Sequence, residues 1–327
     1  MKGMSRRLSC CIASAMLAYS TAAIAQDKPA GYPIRPIRII VSVAPGAGAD
    51  AIARAVAQML NDAWGQNAVV DNRAGGTGVI AVELVARSAP DGYTILSIGD
   101  TLALLGASKR VPFDVRKAFD PVVATSAQPY ILIASQSLPV KSIKELIAYS
   151  ANQKVTYSGA GGVGATVHLG MSQFAQASGA NLLFVPYKGS APAIIAVMGG
   201  EIHMAAASAM AATGAIRTGK VRALAALGLT RVPAMPDLPT LAEQGFPGFK
   251  ITNRYNLFAP AGTPRPIVNA LNRVVSDGMH SPQMTQRLLA DGSQPAERMT
   301  PEQLRATLAS EYVEIEQQMK RMNIKME

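Results

Sequence analysis

Two glycine-rich stretches have the composition of anion-binding loops. Residues 156–168 read TYSGAGGVGATVH and contain the pattern G-x-G-x-x-G from Gly159 to Gly164. Residues 46–51 read GAGADA, a G-x-G-x-x-A variant that follows a β-branched run. Turns of this kind before helices present backbone N–H groups and the positive end of the helix dipole, which bind carboxylates as well as phosphates. The stretches predict either one anion held from two sides or glycines that only permit tight turns.

The N-terminal 25 residues have the pattern of a secretory signal peptide. A basic start is followed by the apolar run 8–18 and by an Ala-x-Ala cleavage motif that ends at Ala25. The apolar run is too short to span a bilayer. We therefore expect cleavage after Ala25 and a periplasmic mature protein, exported by either the general or the twin-arginine route.

Removal of this segment would change both the charge and the cysteine content. It contains three of the 31 Lys and Arg residues, none of the 21 Asp and Glu residues, and both cysteines, Cys10 and Cys11. The remaining chain has 28 basic and 21 acidic side chains, a net charge of +7, which suits an anionic ligand. It has no thiol for a disulfide or a metal, and no basic run with interleaved aromatic residues. Nucleic-acid binding is therefore not expected.

A nucleotide is the less favoured anion. Asp71 ends the strand after the first glycine stretch, where a ribose-binding acid would lie. However, Asp50 would put a carboxylate beside the pyrophosphate, and the second stretch has no acid near it, because 146–200 contains no Asp or Glu. An exported protein also meets few nicotinamide cofactors. We therefore expect no cofactor, and we expect Asp71, Asn72 and Arg73 to stabilise a turn.

The alternation of strand-like and helical segments predicts an α/β protein. From residue 33, β-branched runs at 37–43, 67–72 and 93–99 alternate with helical patterns, which is the βαβαβ signature of a doubly wound sheet. A second run begins with a strand at 130–135 and ends near residue 227. The last third is helical after the extended stretch 249–260.

Polar residues beside prolines predict where the late helices begin. Thr263, Ser281 and Thr300 each precede a proline, so we expect them to be N-caps with the proline as the first helical residue. Thr300 and Gln303 also form a capping box.

Other reactive residues form no recognisable catalytic or metal-binding pattern. The histidines have no metal-ligand spacing, and no serine lies in a G-x-S-x-G elbow, so we expect neither a metal site nor an enzyme. His168 either faces a ligand or has a structural role. Asp50 either caps its own helix or contacts the ligand. Ser158 and Ser208 end strands, where their hydroxyls can donate hydrogen bonds.

Longer motifs resemble one family of binding proteins. PDGYT at 90–94, VPYKG at 185–189 and the pattern P-D-x-P-T-x-x-E-x-G at 236–245 are specific in combination. With the flanking segments they resemble the Bug family, the periplasmic solute receptors of tripartite tricarboxylate transport systems. The resemblance covers nearly the whole chain after the signal peptide, in the same order.

The resemblance implies a type II periplasmic-binding-protein fold, in which two α/β domains close on a ligand. It implies that domain 1 comprises 26–125 and 229–327 and that domain 2 comprises 126–228. The implied ligand is a small carboxylate, which a monomer captures and delivers to membrane permease subunits. The implied ligand contacts are Ala44, Pro45, Gly46, Ala47 and Asp50 on one side, and Ser158, Gly159, Ala160, Gly161, Thr166, His168 and Ser208 on the other.

Three departures from the family pattern bear on the ligand. After the motif IHM the family often has an acid that meets a ligand ammonium, whereas 205–207 here are alanines. We therefore expect a ligand without an ammonium group. Residues 43–45 lack the usual aromatic side chain, which either widens the pocket or removes a stacking wall. Arg254 lies where the family has a tryptophan-containing segment; we expect it on the surface, with a second anion contact as the alternative.

Three functions remain open at this point. A transport receptor is favoured, because ligand contacts from two lobes would stabilise a closed form that a permease can recognise. A ligand sensor would differ only in engaging a signalling partner. An exported α/β enzyme would need a nucleophile–base pair or a metal cluster, and the sequence reveals neither.

Overall fold

The computed structural model describes residues 29–43, 45, 48–75, 78–108, 110–159, 163, 165–187, 189–290 and 292–321. The predicted signal peptide and its cleavage site lie outside these ranges. So do five of the predicted ligand contacts, which are Ala44, Gly46, Ala47, Ala160 and Gly161. Within the described ranges, no helix combines the length and apolarity needed to cross a bilayer.

One half of the protein is built on three parallel strands. These are β2 (Ala68–Asn72), β1 (Ile37–Val41) and β3 (Thr94–Ile98), with β1 in the centre. Four of the five residues of β1 are buried and apolar, because helices cover both faces of this sheet; the exception is Arg38. The predicted βαβαβ pattern is therefore confirmed.

The helices of the described chain alternate with the strands as the sequence predicts. They are α1 (Gly48–Trp64), α2 (Val79–Ala86), α3 (Thr101–Ala107), α4 (Val115–Ala118), α5 (Ile143–Ser150), α6 (Thr166–Ser178), α7 (Ser190–Gly199), α8 (Ala209–Arg217), α9 (Arg265–Met279), α10 (Pro282–Ala290) and α11 (Pro301–Arg321). Helices α1 and α9 pack on one face of the parallel strands, and α2, α3 and α11 pack on the other.

A single long strand, β4 (Phe119–Ser135), joins the two halves of the protein. Its first part pairs antiparallel with β9 (Thr252–Pro260) as far as Pro129, and from Tyr130 onward it pairs with β7 (Met204–Ser208). The sequence predicted only the last six residues of this strand. The earlier part was missed because two prolines, two register shifts and several polar residues interrupt its apolar pattern.

The other half of the sheet continues from β4. Its strands are β8 (Val221–Ala226), the second part of β4, β7, β5 (Val155–Gly159) and β6 (Leu182–Phe184). Helices α5 and α6 cover one face, and α7 and α8 cover the other. We call the part packed around β1–β3 the first lobe and the part packed around β5–β8 the second lobe.

Strands β4 and β9 run between the two lobes. The pairing partner of β4 changes between Pro129 and Tyr130. This strand pairing does not test the predicted domain boundaries, after residue 125 and after residue 228, which stay predictions.

The lobes touch on both sides of the crossing strands. On one side, Leu104 of α3 and Met319 of α11 form a buried cluster with Leu169 of α6. On the other side, Met210 of α8 approaches Gly48, the first residue of α1. A Cβ atom on Gly48 would lie 3.3 Å from the Met210 Cε atom, so glycine permits this close approach.

An aromatic cluster fixes the segment that precedes β1. Tyr32 packs edge-on against Trp64, with ring centroids 5.8 Å apart, and its hydroxyl donates a hydrogen bond to the carbonyl of Gly92 at 2.7 Å. Tyr93 packs on the same ring with centroids 4.9 Å apart. The Arg35 guanidinium lies over Tyr93, 4.3 Å from the ring centroid.

Two of the three predicted proline starts are confirmed. Helix α10 begins at Pro282 and α11 at Pro301, and Ser281 and Thr300 accept hydrogen bonds from the backbone N–H groups three residues later. The prediction for Thr263 is wrong. Helix α9 begins at Arg265, and the Thr263 hydroxyl instead donates to the carbonyl of Pro260.

Thr300→Ala should lower the free energy of unfolding by about 1 kcal/mol, because it removes the side-chain acceptor at the start of α11. The Gln303 side chain accepts a hydrogen bond from the Thr300 backbone N–H at 2.8 Å, and this second hydrogen bond of the capping box would also weaken. Urea unfolding measures the loss. Ser310→Ala on the same helix is the matched control, since that exposed hydroxyl only bonds to the Thr307 carbonyl. Equal losses in both variants would contradict the capping role.

Candidate ligand-binding site

The helices that follow the two glycine stretches both begin at the junction of the lobes, on opposite sides of the crossing strands. Helix α1 begins beside Gln128 of β4 and Met210 of α8, because a Cβ atom on Gly48 would lie 3.2 Å from the Gln128 Nε2 atom and 3.3 Å from the Met210 Cε atom. Helix α6 begins on the other side, where Leu169 packs with Leu104 of α3 and Met319 of α11. Each helix N-terminus therefore lies against the opposite lobe.

On the first lobe, Asp50 braces the start of α1. Its side chain is 3% exposed, and its two carboxylate oxygens accept hydrogen bonds from Asn72 Nδ2 and Arg54 Nε, each at 3.0 Å. Asn72 Nδ2 also donates to the Val43 carbonyl at 3.0 Å. Asp50 thereby ties the first turn of α1 to β2 and to the chain after β1. Its role as a ligand contact stays a prediction.

Asp71 stabilises the end of β2. Its carboxylate forms ion pairs with Arg38 and with Arg73, the latter at 2.8 Å. Asp71 and Asn72 belong to β2 itself and Arg73 follows it without a turn, so the prediction that these three residues stabilise a turn is wrong.

On the second lobe, a glycine lets α6 begin close to β5. A Cβ atom on Gly159 would lie 2.0 Å from Val167 Cγ1, so only glycine fits there. His168, on the first turn of α6, stacks on Phe184 with ring centroids 4.3 Å apart. Burial lowers the pKa of the His168 imidazole, which favours its neutral form. Thr166 is the first residue of α6 and is partly buried.

Two of the predicted contacts are serines at strand ends. Ser158 is fully buried, and its hydroxyl has no hydrogen-bond partner among the described residues. It follows Tyr157, which packs against α6, so its side chain lies on the opposite face of β5, toward α7. Ser208 precedes α8 and is paired with Tyr130 across β4 and β7. The alanines at 205–207 are fully buried, so Ser208 alone is partly exposed at that end of β7.

A row of uncharged polar side chains crosses the sheet between the two helix starts. The register pairs Gln128 with Asn253 and Tyr130 with Ser208, and it places Tyr255 on the same face as Asn253. We call these five residues the polar floor. Sequence reasoning missed four of them because they lie on strands rather than in the glycine stretches. The only available signal was the run of polar residues in otherwise apolar strands.

Arg254 lies beside this row but projects from the opposite face of β9. Its side chain is 15% exposed and forms a bidentate ion pair with Glu311 of α11, in which Nη2 lies 2.7 Å from Oε2 and Nη1 lies 3.1 Å from Oε1. Its Nε atom donates to Asn256 at 3.1 Å. The predicted surface position is therefore wrong, because α11 covers this part of β9. The sequence could not reveal the partner, which is 57 residues away.

A cavity of about 140 Å³ lies between the lobes beside Arg254. Asp100 and Glu311 line it from the first lobe, and Thr166 and Leu169 of α6 line it from the second. Burial raises the pKa of Asp100 to about 7, and the neighbouring Glu311 adds to the rise while Arg254 opposes it. Asp100 accepts a long hydrogen bond, 3.4 Å, from the Arg254 backbone N–H. A partly protonated carboxyl therefore lies at the junction of the lobes at neutral pH.

The candidate site thus consists of two helix N-termini from opposite lobes, with an uncharged row of polar side chains between them on the strands that connect the lobes. The described residues contain no group of three or more His, Cys, Asp or Glu that could hold a metal ion. Two α/β lobes that face each other across shared strands define a protein of the solute-binding class.

Comparison with known proteins identifies the family. Residues 52–323 match the model of the tripartite tricarboxylate transporter family receptor, so the chain belongs to that family. It is similar to Protein BugT of Bordetella pertussis, with 35% identity over 297 residues that cover 89% of this chain and 91% of BugT. The family is one of substrate-binding receptors.

Solved structures show the same fold. R. palustris Rpa4515, solved with adipate, has a TM-score of 0.80 at 31% identity and covers 90% of this chain and 99% of its own. The periplasmic binding protein BugD has a TM-score of 0.77 at 32% identity, with 90% and 99% covered. MatC from Rhodopseudomonas palustris, solved with bound malate, has a TM-score of 0.76 at 29% identity, with 88% and 99% covered. The predicted periplasmic-binding-protein fold of two α/β domains is confirmed.

Asp100→Asn should change how the free energy of unfolding depends on pH. The pKa of Asp100 in the folded protein, about 7, lies above the value near 4 expected in the unfolded chain, so the native state holds this proton more tightly. The resulting stabilisation is complete below about pH 4 and is lost as the pH rises to about 7. The variant has no such proton to lose. As the pH rises through this interval, the free energy of unfolding of the variant should therefore increase by on the order of 2 kcal/mol relative to that of the wild type.

Urea unfolding at about pH 5 and about pH 8 measures this gain. Asp237→Asn makes the same substitution at an exposed position and should leave the pH dependence as it is in the wild type. The interpretation fails if the difference in the free energy of unfolding between Asp100→Asn and the wild type is the same at both pH values.

Proposed function

We propose that the protein is a periplasmic receptor that captures a small carboxylate without an ammonium group and delivers it to the membrane subunits of a tripartite transporter. The membership of the receptor family supports this function. The carboxylates bound by Rpa4515 and MatC, adipate and malate, support the ligand class. Export with cleavage after Ala25 is part of the same proposal, as is a monomeric state.

One observation carries the ligand proposal. Helix α1 begins against Met210 of the second lobe, and helix α6 begins against α3 and α11 of the first lobe. The positive ends of two helix dipoles and the N–H groups of their first turns therefore lie at the junction of the lobes, one on each side. A carboxylate bound to both would stabilise the arrangement in which the lobes are close, because it would make contacts there that it loses when they separate.

The surroundings favour an anion over a zwitterion. The polar floor has no charged side chain, and Asp50 is already engaged with Arg54 and Asn72. An ammonium group would find no free carboxylate at these positions. The chain after the IHM motif supplies only alanines and Ser208.

The ligand class can be tested by thermal shift on the refolded chain, because refolding removes any ligand carried from the expression host. The panel consists of small mono- and dicarboxylates, including adipate and malate, with amino acids, nucleotides and divalent metals as comparison arms. A ligand at 100 times its dissociation constant should stabilise the protein by about 2.7 kcal/mol. The methyl ester of each hit is the matched control, since it keeps the shape and removes the charge. Shifts from nucleotides or metals alone would contradict the proposal, and tight binding of aspartate or glutamate would contradict the absence of an ammonium group.

Thr166→Glu and Thr166→Gln form a matched pair that tests the role of α6. A glutamate at the first position of a helix is compatible with the helix dipole, so the variant should fold. Its carboxylate would compete with and repel a bound anion, whereas the neutral glutamine has the same shape. We expect Thr166→Glu to weaken binding of the panel hit at least tenfold relative to Thr166→Gln, measured by calorimetry. Equal affinities would show that the carboxylate lies elsewhere.

A further inference from the structure

Side chains of the polar floor lack hydrogen-bond partners among the described residues. Gln128 is 4% exposed and Tyr130 is 7% exposed, and neither side chain bonds to another described residue. The Ser126 hydroxyl, two residues before Gln128 on β4, is fully buried and also has no partner there. A polar group removed from bulk water without a partner disfavours the folded state. Such groups are retained where a ligand or water completes their hydrogen bonds.

The floor lies directly beside the start of α1. A Cβ atom on Gly48 would be 3.1 Å from the Tyr255 hydroxyl and 3.2 Å from the Gln128 Nε2 atom. A carboxylate held at the N-terminus of α1 would therefore place the rest of its carbon chain over Gln128, Tyr255 and Tyr130. The floor is thus positioned to contact the end of the ligand that is remote from the carboxylate.

The charges around the floor disfavour a second carboxylate. Arg254, the cation adjacent in sequence, projects from the other face and is paired with both oxygens of Glu311. Burial raises the pKa of the Tyr130 and Tyr255 hydroxyls, and the nearby Asp100 adds to the rise. A second carboxylate would meet neutral hydroxyl and amide groups near an acid, without a free cation on the floor itself.

We propose that the polar floor binds an uncharged hydrogen-bonding group at the far end of the ligand. The substrate class is then a monocarboxylic acid with a terminal hydroxyl, keto or carboxamide group. This inference rests on the proposed function and specifies it further. An unsubstituted acid would leave Gln128 and Tyr130 without partners, and sites built for a polar group reject analogues that lack it.

The test compares acids of equal length that differ only in the far end. Calorimetry is run with butyrate, 4-hydroxybutyrate, succinate and 4-aminobutyrate, and with the corresponding five- and six-carbon series, which includes adipate. At the chain length that binds best, the hydroxy acid should bind at least tenfold more tightly than the methyl-, carboxylate- and ammonium-terminated members. A dicarboxylate or amino acid that binds as tightly as the hydroxy acid would overturn the inference and leave the receptor function standing. Failure of every carboxylate to bind, here and in the wider panel, would overturn both.

Two variants connect the preference to the floor. Tyr255→Phe removes one hydroxyl, and Gln128→Leu replaces the amide with an apolar group of similar size. Each should reduce the advantage of the hydroxy acid over the unsubstituted acid by about tenfold, measured as the ratio of the two dissociation constants within the same variant. Tyr149→Phe is the control, because that hydroxyl is bonded to Gln153 on the surface of the second lobe. If the preference survives in both floor variants, another part of the site recognises the far end.

Discussion

The continuity of strand β4 is the constraint on which the rest of the structure depends. Its backbone satisfies hydrogen bonds in the first lobe through β9 and in the second through β7 and β8. Because one strand belongs to both halves of the sheet, it holds the two lobes in contact on both of its sides. The start of α1 lies against α8 on one side, and the start of α6 lies against α3 and α11 on the other. A one-residue slip of register would exchange the side chains that β4 presents to the two helix starts.

The lobes and the shared strands contribute different kinds of group to the candidate site. The lobes supply helix N-termini, which favour negative charge without any basic side chain. The shared strands supply neutral hydroxyl and amide groups, which have direction but no net charge. A receptor built in this way can hold the common part of a class of ligands with its backbone. It can discriminate among them with a few side chains on rigid strands.

The sequence predicted the regular parts of this architecture and missed those set by contacts far apart in the chain. The parallel strands were predictable because β-branched, largely apolar runs such as 37–41 occur in sheets buried on both faces. The start of α11 was predictable because a capping box is local. The first part of β4 was not, since its prolines and polar residues are accommodated by register shifts against β9. The pairing of Arg254 with Glu311 depends on where α11 packs in the folded protein, so no local sequence pattern predicts it.

The same distinction applies to the site. The glycine stretches carry a local signal, and the helices that follow them begin at the junction of the lobes. The polar floor carries none, since Gln128 and Tyr255 come together only through the register of two antiparallel strands. Its residues become recognisable only when burial and the absence of partners among the described residues are considered together.

The aromatic cluster before β1 determines what intrinsic fluorescence can report. Trp64 is the single tryptophan of the chain, and it ends α1, whereas Gly48 begins it. At 1.5 Å per residue, the indole lies roughly 24 Å along the helix from the candidate site, within the packing of Tyr32. Its emission therefore follows the integrity of the first lobe and is insensitive to events at the junction. Since both native cysteines precede residue 26, a thiol-reactive dye attached at an engineered cysteine would label residues 26–327 at a single chosen position.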